Sequence, residues 1–320
     1  MVPEVDSKLL RRRPNNHVAL SDFDLDAPFV AKARRRLRSG DFGPAIELLE
    51  GSTDVNELFH IVHSFADWDL EADFLQHWVS QSSSGIANTI WLIYRTKRTW
   101  DLGPWTPTKT DYVGLRDGLE QLKDEFLALA KRERNSALMM PHFMWVLRGL
   151  SDPDTARKVF LEGVRRQPDL RAVYSSGMTT EGPQWFGESA DSVRDFIDTW
   201  LPRAPNGIGI ETLEFMAAWY RSLGTPGDPR EAGVWQDIGT RHRLGEAIER
   251  AESAGLSGHN GARTRHFIAH ALYCMGEHDR AGTHLRELGP EGAECPWGRL
   301  RFGLTAIFSM YKKARKACRA

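Results

Sequence analysis

One phrase occurs twice in this chain, and it constrains the fold more than any other feature. Near the N-terminus stands Gly40-Asp41-Phe42-Gly43-Pro44-Ala45-Ile46-Glu47-Leu48-Leu49. Near the C-terminus stands Gly276-Glu277-His278-Asp279-Arg280-Ala281-Gly282-Thr283-His284-Leu285. Both read Gly-x-ring-x-x-Ala-x-x-x-Leu. In a helical hairpin the Gly closes one helix, the ring fills the turn, and the small Ala lets two helices approach. The Leu four residues on shares a face with the Ala. A third, degraded copy joins Phe143–Leu150 to the segment from Thr155, with Phe160 four residues after Ala156. This grammar predicts architecture, not chemistry.

The rest of the chain reads as helix. Asp54 with Glu57 three residues later approximates a capping box before Leu58, Ile61, Val62 and Phe65. Ala72, Phe74, Leu75, Trp78 and Val79 mark the next helix. Ile90–Tyr94 is an apolar run that periodicity alone leaves between strand and buried helix; its helical neighbours favour helix. Leu115, Leu119, Leu122, Phe126 and Leu129 form one clean stripe. Gly177–Gly187 reads as a long glycine-bearing loop, followed by helices around Val193–Leu201, Leu213–Leu223 and Leu244–Ala251. His266–Leu288 is the C-terminal hairpin. The stripe Leu300, Leu304, Ile307, Phe308 and Tyr311 is a capping helix. Residues 1–24, with Arg11-Arg12-Arg13, read as a flexible basic arm. Residues 25–320 read as one domain with a soft boundary near 224–230.

Composition narrows the function classes. The charge is balanced, 42 basic against 43 acidic residues, so no overall field favours nucleic acid. Cys274, Cys295 and Cys318 are odd in number and far apart, which argues against a disulfide framework or a zinc pair. The start lacks a basic and then apolar leader, and no apolar run approaches the ~20 residues of a membrane span. The expectation is a cytoplasmic protein without membrane partners. The eleven tryptophans are a high count, suited to wedging between helices or to lining an aromatic groove.

The pattern resembles a bacterial family of tetratricopeptide-like proteins known mainly as a domain of unknown function. The residues that carry the resemblance are Gly40-Asp41-Phe42-x-x-Ala45, Arg98-Thr99-Trp100, Gln184-Trp185-Phe186-Gly187-Glu188-Ser189, Arg265-His266-Phe267-Ile268-Ala269-His270-Ala271-Leu272, and Cys295-Pro296-Trp297. It spans residues 27–310. The family usually has a Trp and a Lys upstream of the Trp-x-Gly-Ser segment, where this chain has Thr179, Thr180, Glu181 and Pro183. The resemblance implies an all-helical fold and no particular activity.

No nucleotide-binding glycine motif, zinc-protease motif or hydrolase elbow is present. Candidate residues therefore come from local pattern. His266 and His270 share a helix face, as do His60 and His63, and either pair could contribute two metal ligands. Each lacks a third ligand at characteristic spacing, and no cofactor is expected. Asp67, Asp69, Glu71 and Asp73 form an acidic stretch that suits a helix N-terminus. The 177–189 segment carries Met178, Glu181, Trp185 and Phe186, a combination suited to enclosing a partly polar ligand.

The expected fold is an all-α, tetratricopeptide-like helical-hairpin array, an α-solenoid with a C-terminal capping helix. Two functions fit it. One is a binding or scaffold protein with a concave aromatic groove for a peptide or protein. The other is an enzyme of specialised metabolism acting on a small molecule, with Glu181, His266 and His270 as catalytic candidates and Trp185, Phe186 and Met178 as ligand contacts.

Overall fold

The structure, a computed structural model, describes residues 43–66, 72–81, 83–101, 109–223, 232–290, 294–297 and 304–320. The arm 1–24, the 103–107 loop and the 224–230 boundary lie outside them. So do the acidic side chains from Asp67 to Asp73, and those of Ala45 and Cys295.

The described residues are all-α, with no strand among them. The helices are α1 Gly43–Gly51, α2 Val55–Ala66, α3 Ala72–Gln81, α4 Gly85–Asp101, α5 Lys109–Arg132, α6 Met140–Gly149, α7 Pro153–Arg166 and α8 Arg171–Thr180. They continue as α9 Ala190–Trp200, α10 Thr212–Leu223, α11 Ile238–Ala254, α12 Gly258–Cys274, α13 His278–Leu288, α14 Glu294–Trp297 and α15 Leu304–Ala317. None is long and apolar enough to cross a membrane.

The C-terminal phrase makes the turn it encodes. Gly276 has φ +81°, a region open to Gly at little cost. Its N–H donates to the Tyr273 carbonyl, and the Glu277 N–H donates to the Leu272 carbonyl, so the last carbonyls of α12 are satisfied. Ala281 and Leu285 are fully buried against α12. The ring residue behaves differently from expectation. His278 stacks on Tyr273 but stays exposed, so it covers the turn and does not plug it.

The turn between α6 and α7 has the same form without glycine. Ser151 takes φ +55°. Its N–H donates to the Arg148 carbonyl, and that of Asp152 to the Leu147 carbonyl. The Asp152 carboxylate then accepts from Thr155 N–H at 3.1 Å and starts α7. Ala156 and Phe160 are buried, as their places in the phrase require.

Ile90–Tyr94 lies inside α4, as its neighbours imply. It is apolar because α4 separates two cores. Ile90, Ile93 and Tyr94 join Leu49, Ile61, Val62, Phe65 and Leu75 in a small N-terminal core, while Leu92 faces the main one. A helix covered on both sides needs no polar face. The main core takes the whole α5 stripe and continues through α6–α8, α10 and α12 to Tyr311 and Ala314 of α15. It includes residues on both sides of 224–231.

Contacts distant in sequence tie the ends together. The Asn56 side chain donates to the Asp169 carbonyl at 2.8 Å and accepts from Arg171 N–H at 2.9 Å. Through α2 the N-terminal helices thus meet α8, and α2 also touches α12.

Candidate functional site

One expectation needs correction first. Gly177 is not in a loop: α8 runs from Arg171 to Thr180, and Met178 is fully buried in the main core. Gly177 is a close-approach residue, since a Cβ there would stand 2.6 Å from the Phe160 ring and 2.9 Å from Phe196. The irregular segment begins only at Glu181. Its backbone is pinned by Trp185 N–H to Gly182 O, Phe186 N–H to Thr180 O, and Gly187 N–H to Gly182 O. Gly187 is required, because a Cβ would fall 2.0 Å from the Glu181 carbonyl oxygen. Ser189 Oγ then accepts from Asp191 N–H and opens α9.

This pinned turn delivers Trp185 to a row of rings. Phe59 and His63 on α2 lie 6.0 Å apart. His63 is 4.9 Å from His142 on α6, and His142 is 6.2 Å from Trp145 one helical turn on. Trp145 stacks on Trp100 of α4 at 5.6 Å, and Trp100 meets the edge of Trp185 at 6.0 Å. Three helices and one turn therefore present a continuous chain of six rings. His142 is buried, and the other five are only partly covered.

Two cations belong to the row. Lys97 Nζ stands 3.2 Å from His63 Nδ1. Arg148, 9% exposed, lies 5.5 Å from the Trp185 ring centre. It donates to Ser176 O at 3.1 Å, and to Ser176 Oγ and Thr180 Oγ1 at 3.2 Å each. Buried guanidinium hydrogen bonds to α8 thus hold the charge where Trp185 can lie over it. Gly149 completes the fit, since a Cβ there would reach within 2.7 Å of the Trp100 ring.

The remaining candidates fall elsewhere. Phe186 is partly buried against the main core. Glu181 is held by Arg157 in a two-pronged pair, 2.8 and 3.1 Å long. His60 is buried, one turn from His63. His266 and His270 belong to a different ring cluster. The Trp297 indole donates to His266 Nδ1 at 3.1 Å, and Tyr311 packs alongside at 5.8 Å. His270 lies between Trp235, at 5.6 Å, and Trp297, at 5.1 Å. Burial pushes the His266 imidazole down to about 4, so it is neutral at neutral pH. Among the described residues no group of three His, Cys, Asp or Glu stands together as metal ligands.

An acid–base pair that sequence reading missed joins α11 to the C-terminal hairpin. His284 Nε2 stands 3.2 Å from a Glu252 carboxylate oxygen, in an open groove of about 330 Å³ also lined by Arg265, Arg280, Thr283 and Glu287. Burial lowers the His284 pKa, and Glu252 works against that shift. The two residues are 32 positions apart on separate helices, so no local spacing marks them.

Compared with protein-family models and with curated proteins, the chain matches none.

Proposed function

We propose that this is a helical-repeat binding or scaffold protein that holds an extended peptide segment of a partner along the ring row from Phe59 to Trp185. In this reading the α6–α7 and α12–α13 hairpins are repeat units of a tetratricopeptide-like array. The observation that carries the reading is the continuity of the row. Its rings come from three helices and one turn, and five of the six are left partly uncovered. Large, rigid indoles bind with little loss of side-chain entropy, and they dominate the energetics of protein interfaces. Buried bonds of Arg148 and the close fits at Gly149 and Gly187 hold the row in shape, which lowers the cost of binding.

The enzyme reading has less support at the residues first singled out for it. Glu181 is neutralised by Arg157, and His266 and His270 are enclosed among Trp235, Trp297 and Tyr311.

A displayed peptide library selected on the full-length protein tests the proposal. Selected peptides should lose binding to Trp145→Ala and to Trp185→Ala while the far-ultraviolet spectra stay intact. Peptides that bind both variants as well as the parent would move the binding surface elsewhere.

A further inference from the structure

The His284–Glu252 pair leaves an uncompensated charge in its groove. The His284 side chain is 7% exposed, and its Nδ1 is shielded from solvent with no partner among the described residues. A proton on Nδ1 would be a buried N–H without an acceptor. The imidazole therefore keeps its one proton on Nε2, which faces Glu252 at 3.2 Å. A neutral donor orients a carboxylate without cancelling its charge. The cations that line the groove are committed elsewhere. Arg265 pairs with Glu287 and donates to the Leu256 carbonyl at 2.9 Å, and Arg280 pairs with Glu277 at 2.8 Å. Among the described residues no Lys or Arg stands within ion-pair distance of Glu252, whose side chain is 43% exposed.

We infer that this groove is a binding site for a primary alkylammonium group, seated on Glu252. It stands apart from the ring row and does not depend on it. An ammonium carries three N–H donors. The groove answers them with acceptors on Glu252, on Glu287 and on the Thr283 hydroxyl. Bonds from an ammonium to a carboxylate are charge-assisted, roughly twice as strong as neutral ones. Leu256 lines the same groove and offers the alkyl chain an apolar contact. Other cations fit less well. A quaternary ammonium calls for a cage of aromatic rings, and among the described residues the one ring lining the groove is the His284 imidazole. A guanidinium favours a carboxylate with both oxygens free, and one oxygen of Glu252 faces His284. A divalent metal ion finds no group of three ligands among the described residues.

The experiment follows the His284 imidazole signals of the full-length protein labelled with nitrogen-15 at histidine. They are assigned with His284→Gln, and the titrations run at neutral pH and constant ionic strength. The probes are n-butylammonium, tetramethylammonium, N-acetyl-lysine amide and magnesium ion. Butylammonium should shift the signals to saturation and bind at least about tenfold more tightly than tetramethylammonium. Glu252→Gln keeps an acceptor for His284 and removes the charge, so it should weaken butylammonium at least about tenfold. Glu249→Gln, on the same helix but lining a different groove, should not. Tighter binding of N-acetyl-lysine amide than of butylammonium would support the site and assign it to a lysine side chain of a partner. Binding of butylammonium as tight or tighter would support it and assign it to a small free amine. Equal binding of butylammonium and tetramethylammonium, an affinity unchanged in Glu252→Gln, or the lack of a saturable shift would overturn the inference. Saturation by magnesium ion alone would overturn it in favour of a metal.

Discussion

Trp100 and Trp145 lie face to face, with ring centroids 5.6 Å apart and planes 10° from parallel. They come from α4 and α6, and the contact depends on the glycine at 149, which leaves room for the Trp100 ring. Ring pairs of this kind contribute about 0.5–1.5 kcal/mol beyond the area they bury. Packing alone would favour covering both indoles completely. Here the pair is left partly open and is extended by Trp185 on one side and by His142 and His63 on the other.

The turn at Ser151 can be tested directly. A non-glycine residue at φ +55° strains its Cβ against the following carbonyl. Ser151→Gly should raise stability by about 1 kcal/mol, seen as a higher urea midpoint with an unchanged slope. A lowered midpoint would mean that the serine makes a contribution that outweighs its backbone cost.

Ala281 tests the same grammar from the packing side. It is fully buried where α13 crosses α12, and its neighbour Gly282 comes so close to the residue after α15 that a Cβ would stand 2.6 Å from the Cys318 carbonyl oxygen. Ala281→Leu should overpack the crossing and cost about 1–3 kcal/mol. An unchanged midpoint in denaturant would show that the helices there have room to spare.

Burial of His266 makes stability depend on pH. Its folded pKa is about 4, below the ordinary value of 6.5. Between the two, the unfolded chain takes up a proton that the folded chain does not, so acidification favours unfolding. Stability is therefore full above about pH 6.5 and falls as pH drops toward 4. From pH 7.5 to pH 5 the wild type should lose about 2 kcal/mol more than His266→Gln, which keeps an acceptor for Trp297. Glu162, held to about 2 by Arg165 and Arg166, titrates below this window and does not blur it. Parallel losses in the two proteins would place the acid sensitivity outside the Trp297 contact.

Much of the fold was legible because helical spacing is local. The α5 stripe, the α12–α13 hairpin and the helical nature of Ile90–Tyr94 all follow from residues a few positions apart. The α8 helix was missed because Ser175, Ser176, Gly177, Thr179 and Thr180 carry loop chemistry. Tertiary contact overrides it: Gly177 admits Phe160 and Phe196, and the two hydroxyls of Ser176 and Thr180 bind Arg148. The site was legible only in pieces. Trp185 and His63 stood out individually, and Trp100 stood in one of the motifs behind the family resemblance. Their neighbours on α6, His142, Trp145 and Arg148, repeat every third residue, a stripe that pattern alone does not distinguish from core. What joins them is the packing of α2, α4 and α6 side by side, which no local spacing encodes.

The most direct test of the central claim is the indole N–H spectrum of the protein labelled with nitrogen-15 at its eleven tryptophans. Each signal would be assigned by single Trp→Phe substitution, and the spectrum followed while a peptide selected on the full-length protein from the displayed library is added. The account predicts that the Trp100, Trp145 and Trp185 signals move together with one affinity, while the enclosed Trp235 and Trp297 stay in place. Movement confined to other indoles, or an unchanged spectrum at saturating peptide, would contradict it.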